Sequence, residues 1–528
     1  MHICSGILPR TIRIALFWYG FEHMSSSVFQ SAKFNFGTTR IVNVRNHHST
    51  IITRMSDLSN RKDVVTSFVR RQTSSGWEYV LVQRSHDVST YQYPYWGAVS
   101  GGVEKVDVCM RDRALIEIEE EVGYTQDDVE FVRAGRPLYV DDNGRHFKVH
   151  PYLFTLLHPD KPVKLNWENV DARFCTERAL SELQPKVPLL QETLDTLLMS
   201  AEQLRRYEIV QGDRAHGAAE LCVIALDQFC EDALSRQAST VDELVRHVQN
   251  FGHHLATCRP NMSPVGNSIV SVLRTWVSEN KKVYNLDVEG ARGMLEKLVE
   301  KEKQQIAGIH ARVVSEAVSY LGSRAQNGKE TMSIVTLSLS SSIRDSLIHL
   351  MRQNPSVIFN VLVCESRPLF EGVKLGVDLL GCPNARIHLV TDAQMNSVFV
   401  NHTIDVVVVG ADSLSKRSFV NKVGTMPLAL VAHHYSVDVI VVADVSKSTT
   451  LDTFVPEEKH IEEVTQAWVD AEIIQAGAVD QFSASNTYFE EIPLDLVTCI
   501  ISSGGKISPE HIGTYIEDLS ESYSIAFR

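Results

Sequence analysis

Residues Val406–Thr425 read VVVVGADSLSKRSFVNKVGT. The β-rich run Ile404–Val409 ends at Gly410-Ala411-Asp412, and a second polar cluster follows at Asn421-Lys422-Val423-Gly424-Thr425. Similar runs occur at Thr331–Leu337, Val357–Cys364, Arg386–Thr391 and Asp438–Ala443, with helical spacings at Ser342–Gln353 and Leu369–Leu380 between them. Strands that alternate with helices predict a parallel, doubly wound sheet whose two faces are both covered. Ligands of such sheets sit beyond the carboxyl ends of the strands, so the residues after each strand are the candidates for chemistry. Here they are Cys364-Glu365-Ser366-Arg367-Pro368, Thr391-Asp392-Ala393, Gly410-Ala411-Asp412 and Asn421–Thr425.

Upstream the period is helical. Leu189–Tyr207, Ala215–Leu234, Val241–Leu255, Asn267–Val277 and Gly290–Leu321 carry apolar residues at helix spacing, which predicts a packed bundle. A chain of 528 residues is too long for one core and predicts two or three domains. Apolar content of 44% and charged content of 22% are those of a globular protein. A net charge of −14 argues against bulk binding of nucleic acid or an anionic membrane, and no run is long enough to span a bilayer. Nine cysteines without a C-x-x-C pair read as free thiols. The pairs His47-His48, His253-His254 and His433-His434 lack metal-type neighbours in sequence and read as surface or packing residues.

In the first half, Gly102–Tyr124 reads GVEKVDVCMRDRALIEIEEEVGY. On a helix, Glu117, Glu120 and Glu121 share a face while Glu119 points away. Converging carboxylates repel one another unless a positive group sits among them, and such a set suits Mg²⁺ or Mn²⁺. The plain alternative is a solvated acidic face.

The residues after the strands, taken in order, resemble the alpha/beta/delta family of eukaryotic translation initiation factor 2B, which includes the methylthioribose-1-phosphate and ribose-1,5-bisphosphate isomerases. Asp213–Leu221 (DRAHGAAEL), Arg259–Asn267 (RPNMSPVGN) and Pro493–Pro509 extend the resemblance over roughly 190–528. It implies sugar-phosphate contacts at Arg259, Ser338, Glu365, Arg367, Asp412, Asn421 and Lys422. It also implies a homodimer or assembly with initiation factor 2B-like subunits. Asp412 matches the acid–base Asp of the isomerases, but their Cys corresponds to Ser338, and Leu337 stands where His is usual. A serine hydroxyl is a poorer proton-transfer group than a tunable thiol, so these departures argue against isomerisation and leave ribose-phosphate binding.

Gly102–Tyr124 resembles the Nudix box, G-x5-E-x7-R-E-U-x-E-E-x-G-U, with the strand Glu78–Arg84 and Val99–Gly102 leading into it and a hairpin signal at Asp141–Gly144 beyond. The resemblance implies an amino-terminal Nudix α/β/α sandwich with a mixed sheet over 55–180. A helical subdomain over 181–325 and the Rossmann-like domain over 326–528 would follow. It further implies a loop at Gly101 and Gly102, a helix end at Gly123, and metal on Glu117, Glu120 and Glu121. One of these or Glu168 would serve as base in hydrolysis of a nucleoside diphosphate derivative. Val108 and Ile116 replace the box's usual Glu–Arg pair, which predicts an apolar brace in its place. The leading expectation is therefore a metal-dependent hydrolase fused to a ribose-phosphate-binding or subunit-binding domain. The alternatives are a translation-factor-like assembly protein and an aldose–ketose isomerase using Ser338 and Asp412. Residues 1–54, rich in Arg with the single acid Glu22, read as a disordered or targeting tail, possible transit peptide, or sequence ahead of a working start at Met55. Cytoplasm is the expected compartment, mitochondria if the tail is a transit peptide.

Overall fold

The computed structural model describes residues 61–528, apart from 75, 105–108, 143, 214, 279–281, 327, 452, 453, 455, 457 and 458. The tail 1–54, Met55, Val108 and Asn143 lie outside the described residues.

The first domain is a mixed sheet. Strands β1 (Lys62–Thr73), β2 (Gly76–Arg84), β3 (Trp96–Gly97), β4 (Val99–Gly102), β5 (Val129–Ala134), β6 (Leu138–Asp142), β7 (Arg145–Leu156) and β8 (Asn169–Cys175) join along the path β3-β2-β1-β7-β5. Strand β4 pairs with β1, β6 with β7 and β8 with β2; only β1 and β7 run parallel. The centre of β1 is buried from Val65 to Val69 because both faces are covered. Helix α1 (Met110–Val122) packs Ala114, Ile118 and Val122 on one face. Leu180 of α2 (Glu177–Glu182) and Leu190 and Leu194 of α3 (Leu190–Asp195) pack on the other.

A helical bundle follows: α4 (Ala201–Gly212), α5 (Ala218–Ser235), α6 (Val241–Thr257), α7 (Ser263–Ser278) and the long α8 (Val288–Ala325). Its core holds Phe229, Phe251, Leu273 and Trp276, and it also takes Ala526 and Phe527 from the far end of the chain.

The third region is the seven-stranded sheet β11-β10-β9-β12-β15-β17-β18, parallel except for the antiparallel edge strand β18. The strands are β9 (Thr331–Leu337), β10 (Ile358–Cys364), β11 (Ala385–Val390), β12 (Val406–Val409), β15 (Val439–Val442), β17 (Cys499–Ser502) and β18 (Gly505–Ile507). A small antiparallel sheet, β13 (Ser413–Leu414), β14 (Ser418–Lys422) and β16 (Phe489–Pro493), leaves the end of β12. Helices α9 (Ser341–Gln353), α10 (Glu371–Leu379), α11 (Met395–Asn401), α12 (Thr425–His434) and α13 (Glu462–Asp470) complete the connections, and α14 (Ile512–Ala526) closes the chain. The two sheet faces pack in separate apolar clusters, which is why β12 is four buried valines in succession. The chain winds outward from β9 through β10 and β11 on one side, and from β12 through β15 and β17 on the other. The order reverses between β9 and β12, and there the crevice opens.

Candidate functional site

A cavity of about 810 Å³ stands at that reversal. The loop after β9 supplies Ser338, Ser340 and Ser341, the loop after β12 supplies Gly410, Ala411 and Asp412, and β14 supplies Asn421 and Lys422. Glu371 opens α10, Lys447 follows β15, and Cys258, Arg259 and Pro260 descend from the bundle.

Asp412 is the chemical centre of the cavity. Its backbone N–H donates to the Val420 carbonyl at 2.7 Å, while its half-buried side chain keeps one side on the crevice. Burial raises the carboxyl above its ordinary value and Glu371 adds to this, whereas Lys447 and Lys422 pull it down. Lys447 Nζ donates to the Ala411 carbonyl at 2.6 Å, one residue from Asp412. Lys422 Nζ pairs with Glu371 Oε2 at 2.6 Å and stands 4.3 Å from the Tyr488 ring centroid, so its charge is already balanced. Asn421 Nδ2 donates to Thr425 Oγ1 at 2.9 Å.

Ser338 sits at φ 65° at the end of β9, and its N–H donates to Ser366 Oγ at 2.7 Å. A non-glycine residue held in the left-handed region costs energy that the surroundings must repay, and such residues cluster at working sites. The hydroxyl of Ser366 also donates to the Cys364 carbonyl, and the Asp392 carboxylate accepts from the N–H groups of Ser366 and Arg367, both at 2.9 Å.

The other expected residues are distributed differently. Arg259 lines the cavity, yet its Nη1 donates to the carbonyls of Val210, Gln211 and Asp213, capping the end of α4. Glu365 and Arg367 are not among the residues that line the cavity, and Arg367 lies over the Phe370 ring at 4.9 Å. The sequence reading missed Glu371 and Lys447. Lys447 follows a recognised strand, so the same search beyond strand ends, carried one strand further, reaches it.

Gly372 shows how tightly the turn after β10 is built: a Cβ there would lie 1.8 Å from the Cys364 carbonyl oxygen. Backbone cannot yield as a side-chain tip does, so Gly372→Ala is expected to cost at least the roughly 1–3 kcal/mol of overpacking. Thermal unfolding of the purified variant measures it.

The acidic helix of the first domain is arranged otherwise than expected for a metal. Arg113, one turn before Glu117, forms an ion pair with it and reaches Glu120 at 3.7 Å. Glu121 is fully buried and accepts from Ser100 N at 2.9 Å and Asn169 Nδ2 at 2.7 Å; desolvation holds its carboxyl up at about 7. The positive group among the carboxylates is thus an arginine of the same helix. Among the described residues no three His, Cys, Asp or Glu side chains are grouped to hold a metal ion. Gly101 leaves room for Glu117, Gly102 faces Lys62, and Gly123 ends the helix at φ 74°. Glu168 accepts from Ser85 N through its backbone carbonyl. Ile116 is 42% exposed, and its expected partner Val108 lies outside the described residues.

The sequence profile of the Initiation factor 2 subunit family matches residues 214–509. The methylthioribose-1-phosphate isomerase of Symbiobacterium thermophilum is 31% identical over 168 residues, 31% of this chain and 45% of that protein, so the chain spans less than half of that relative. The methylthioribose-1-phosphate isomerase of Geobacillus thermodenitrificans is 24% identical over 330 residues, 61% of this chain and 88% of that protein. A solved tetrameric eIF2B-beta2-delta2 complex from C. thermophilum is 16% identical with TM-score 0.45, covering 63% of this chain and 100% of that one. Among the described residues no helix is long and apolar enough to cross a membrane.

These relatives overturn two expectations. Hydrolysis of a nucleoside diphosphate gives way, because the named relatives are isomerases, and Glu117 and Glu121 of the acidic face already have partners in Arg113, Ser100 and Asn169. The argument against isomerisation gives way as well: it weighed Ser338 and Leu337, whereas the relatives carry that activity in their names and the cavity retains Asp412, whose carboxyl feels the charges of Lys447 and Lys422. With more than half of its length matched, the chain belongs to the Initiation factor 2 subunit family.

Proposed function

We propose that the crevice binds a phosphorylated five-carbon aldose and interconverts it with the corresponding ketose phosphate, with Asp412 moving the proton. The observation that carries this reading is Asp412 itself, a carboxyl on the cavity wall whose pKa burial raises while Lys447 and Lys422 pull it down. For an aldose 1-phosphate closed as a ring, hydrogen moves from C2 to C1, the bond from C1 to the ring oxygen opens, and the 2-hydroxyl becomes the ketone. The ring oxygen gains the proton that the 2-hydroxyl gives up, so atoms and electrons balance without a co-reactant. A protonated Asp412 would supply the ring oxygen, and the resulting carboxylate would take the hydroxyl proton. Ser338, Ser340 and Asn421 offer hydrogen bonds to sugar hydroxyls or phosphate, and Lys447 offers positive charge.

The test is methylthioribose 1-phosphate, the substrate in the names of the relatives, incubated with the full chain and followed by phosphorus and proton NMR. A ketose phosphate resonance is the expected result; no product from this or other pentose 1-phosphates overturns the reading. A second reading, sugar-phosphate binding that governs assembly with a second copy or related subunits, draws on one observation. Cys258 is the cysteine that lines the cavity among the described residues, its thiol is pushed up to about 12 by burial, and it donates to the Leu255 carbonyl. Ligand-induced stabilisation without turnover would select that reading.

A further inference from the structure

Lys447 stands in a short turn, Val445–Lys447, whose backbone is held from outside its own domain. Helix α7 of the bundle reaches across with two side chains one turn apart. Ser263 Oγ donates to the Lys447 carbonyl at 2.9 Å. Asn267 Nδ2 donates to the Ser446 carbonyl at 2.7 Å and to the Ser448 carbonyl at 2.8 Å. Three successive carbonyls of the turn are therefore engaged by α7, and both hydrogens of one amide group are spent on them. From below, the Asp444 carboxylate accepts from Ser446 N at 2.9 Å, and Val445 N donates to Ser502 Oγ at 3.1 Å.

An asparagine amide can face such carbonyls two ways round, and only one works. With nitrogen toward the turn it donates twice; with oxygen toward the turn it sets an acceptor against two acceptors. The other end of the group decides between them. Tyr523 of α14 donates its hydroxyl to Asn267 Oδ1 at 3.3 Å, which pins the oxygen away from the turn. Tyr523 reaches this position because Gly266 carries no side chain: a Cβ there would lie 2.7 Å from the Tyr523 hydroxyl and 2.3 Å from the Ala256 carbonyl oxygen.

Helix α14 is itself anchored by the first domain. Arg136, buried in the loop between β5 and β6, donates Nη1 to the carbonyls of Phe527 at 2.9 Å and Arg528 at 3.2 Å, and Nε to Asn250 Oδ1 at 3.0 Å. Gln249 Nε2 donates to the Ala526 carbonyl at 2.8 Å. A continuous set of hydrogen bonds thus runs from the first domain, through the chain terminus and α14, to the turn that carries Lys447.

We propose that Asn267, oriented by Tyr523, is a positioning residue for Lys447, and that α14 is the strut through which the first domain keeps this lysine beside Asp412. The proposal deepens the isomerase reading, but the geometry of the Lys447 turn can be read without turnover. Spatial continuity alone does not establish coupling, so the test must perturb one end and read the other.

The readout is the acetylation rate of Lys447 by acetic anhydride in the intact full chain, measured by peptide mass spectrometry against the exposed Lys374 of α10 as internal reference. An ammonium donating to a fixed carbonyl reacts slowly; released, it reacts faster. Asn267→Ala and Tyr523→Phe are each expected to raise the Lys447 rate severalfold relative to Lys374. Tyr523→Phe keeps the packing and removes only the hydroxyl, so it stands in should Asn267→Ala fail to fold. Unchanged Lys447 labelling in a folded variant overturns the proposal, whatever the activity of the chain. Where turnover is measurable, the pH limb set by Asp412 should move to higher pH in the same variants. The groups that face Asp412 are Lys447, Lys422 and Glu371, and withdrawing Lys447 removes a charge that holds the carboxyl down. A variant with merely less folded protein would scale the profile without shifting it.

Discussion

Replacing Asp412 with Asn is expected to lower turnover of an aldose 1-phosphate by roughly 10²–10⁴-fold, the usual contribution of one positioned proton-transfer group. The amide is nearly isosteric and keeps the backbone donation to Val420, so the turn after β12 should survive. It cannot exchange a proton between the ring oxygen and the 2-hydroxyl. Ligand binding should change far less, because Ser338, Ser340, Asn421 and Lys447 remain on the cavity wall. A matched loss in kcat and kcat/KM with little change in KM is the pattern of an interaction made in the transition state. The pH dependence follows from the direction of the shift. Burial raises the Asp412 pKa, so the protonated form persists above the ordinary carboxylate range. If the carboxylic acid starts the reaction, rate is lost as pH rises through that raised value. Lys447→Met should carry this limb to higher pH by removing a charge that favours the carboxylate. Initial rates across pH for the three proteins decide the matter. A rate in Asp412→Asn equal to that of the unaltered chain would remove Asp412 from the mechanism.

The sheet was legible because its evidence is local. Val406–Val409 can be buried on both faces only in a covered parallel strand, and the polar residues after it fall at the crevice because strand direction puts them there. Asp412, Asn421 and Lys422 were found on that logic, and Ser338 through the family resemblance. The acidic helix was misjudged because spacing reports which side chains share a face and not what else reaches that face. Arg113 lies at i−4 from Glu117 and was visible in sequence, but Asn169 comes from β8, 48 residues from Glu121, and no periodicity joins the two. Arg259 and Arg367 illustrate the same limit. Each has the residue type that suits phosphate, yet one turns its Nη1 to the carbonyls at the end of α4 and the other lies on an aromatic ring. Long-range pairing decides what a charged side chain is free to do, and it enters only with the fold. The α7–α14 contacts behind Lys447 join residues 179 to 256 positions apart and could not be read from the chain at all.

Acid should loosen the junction on which that strut depends. His253 and His254 lie buried at the end of α6, with the His253 ring edge-on to Phe527 at 5.1 Å. His253 Nδ1 and His254 Nε2 are buried with no hydrogen-bond partner, so the neutral rings fit and the cations do not. Desolvation is the main cause of the lowered pKa of both, with Arg136, His150 and the neighbouring ring adding to it at His253 and Arg133 at His254. His254 is held down at about 3. A folded-state value below the unfolded one means that the unfolded chain binds the proton first. The stability contributed by the neutral rings is therefore fully present above the ordinary histidine pKa and is lost as pH falls below it. For His254 alone the loss by pH 5 is about 2 kcal/mol, and His253 acts with the same sign. Glu121, held up at about 7 by burial, contributes stability that grows over the same fall in pH. The histidine contribution is therefore read by comparing the pH dependence of urea unfolding midpoints, at pH 7.5 and pH 5.0, between the unaltered chain and a His254 variant. His254→Asn, which can still donate toward the Thr196 backbone but does not titrate in this range, should lose less stability between pH 7.5 and pH 5.0 than the unaltered chain. Because Phe527 and the Arg136 anchor meet at this pair, Lys447 acetylation normalised to Lys374 should also rise on going from pH 7.5 to pH 5.0 in the unaltered chain. The rise should be smaller in His254→Asn. An equal change in midpoint between pH 7.5 and pH 5.0 in the unaltered chain and in His254→Asn would mean that the ring accepts its proton in place, and the junction would then hold in acid.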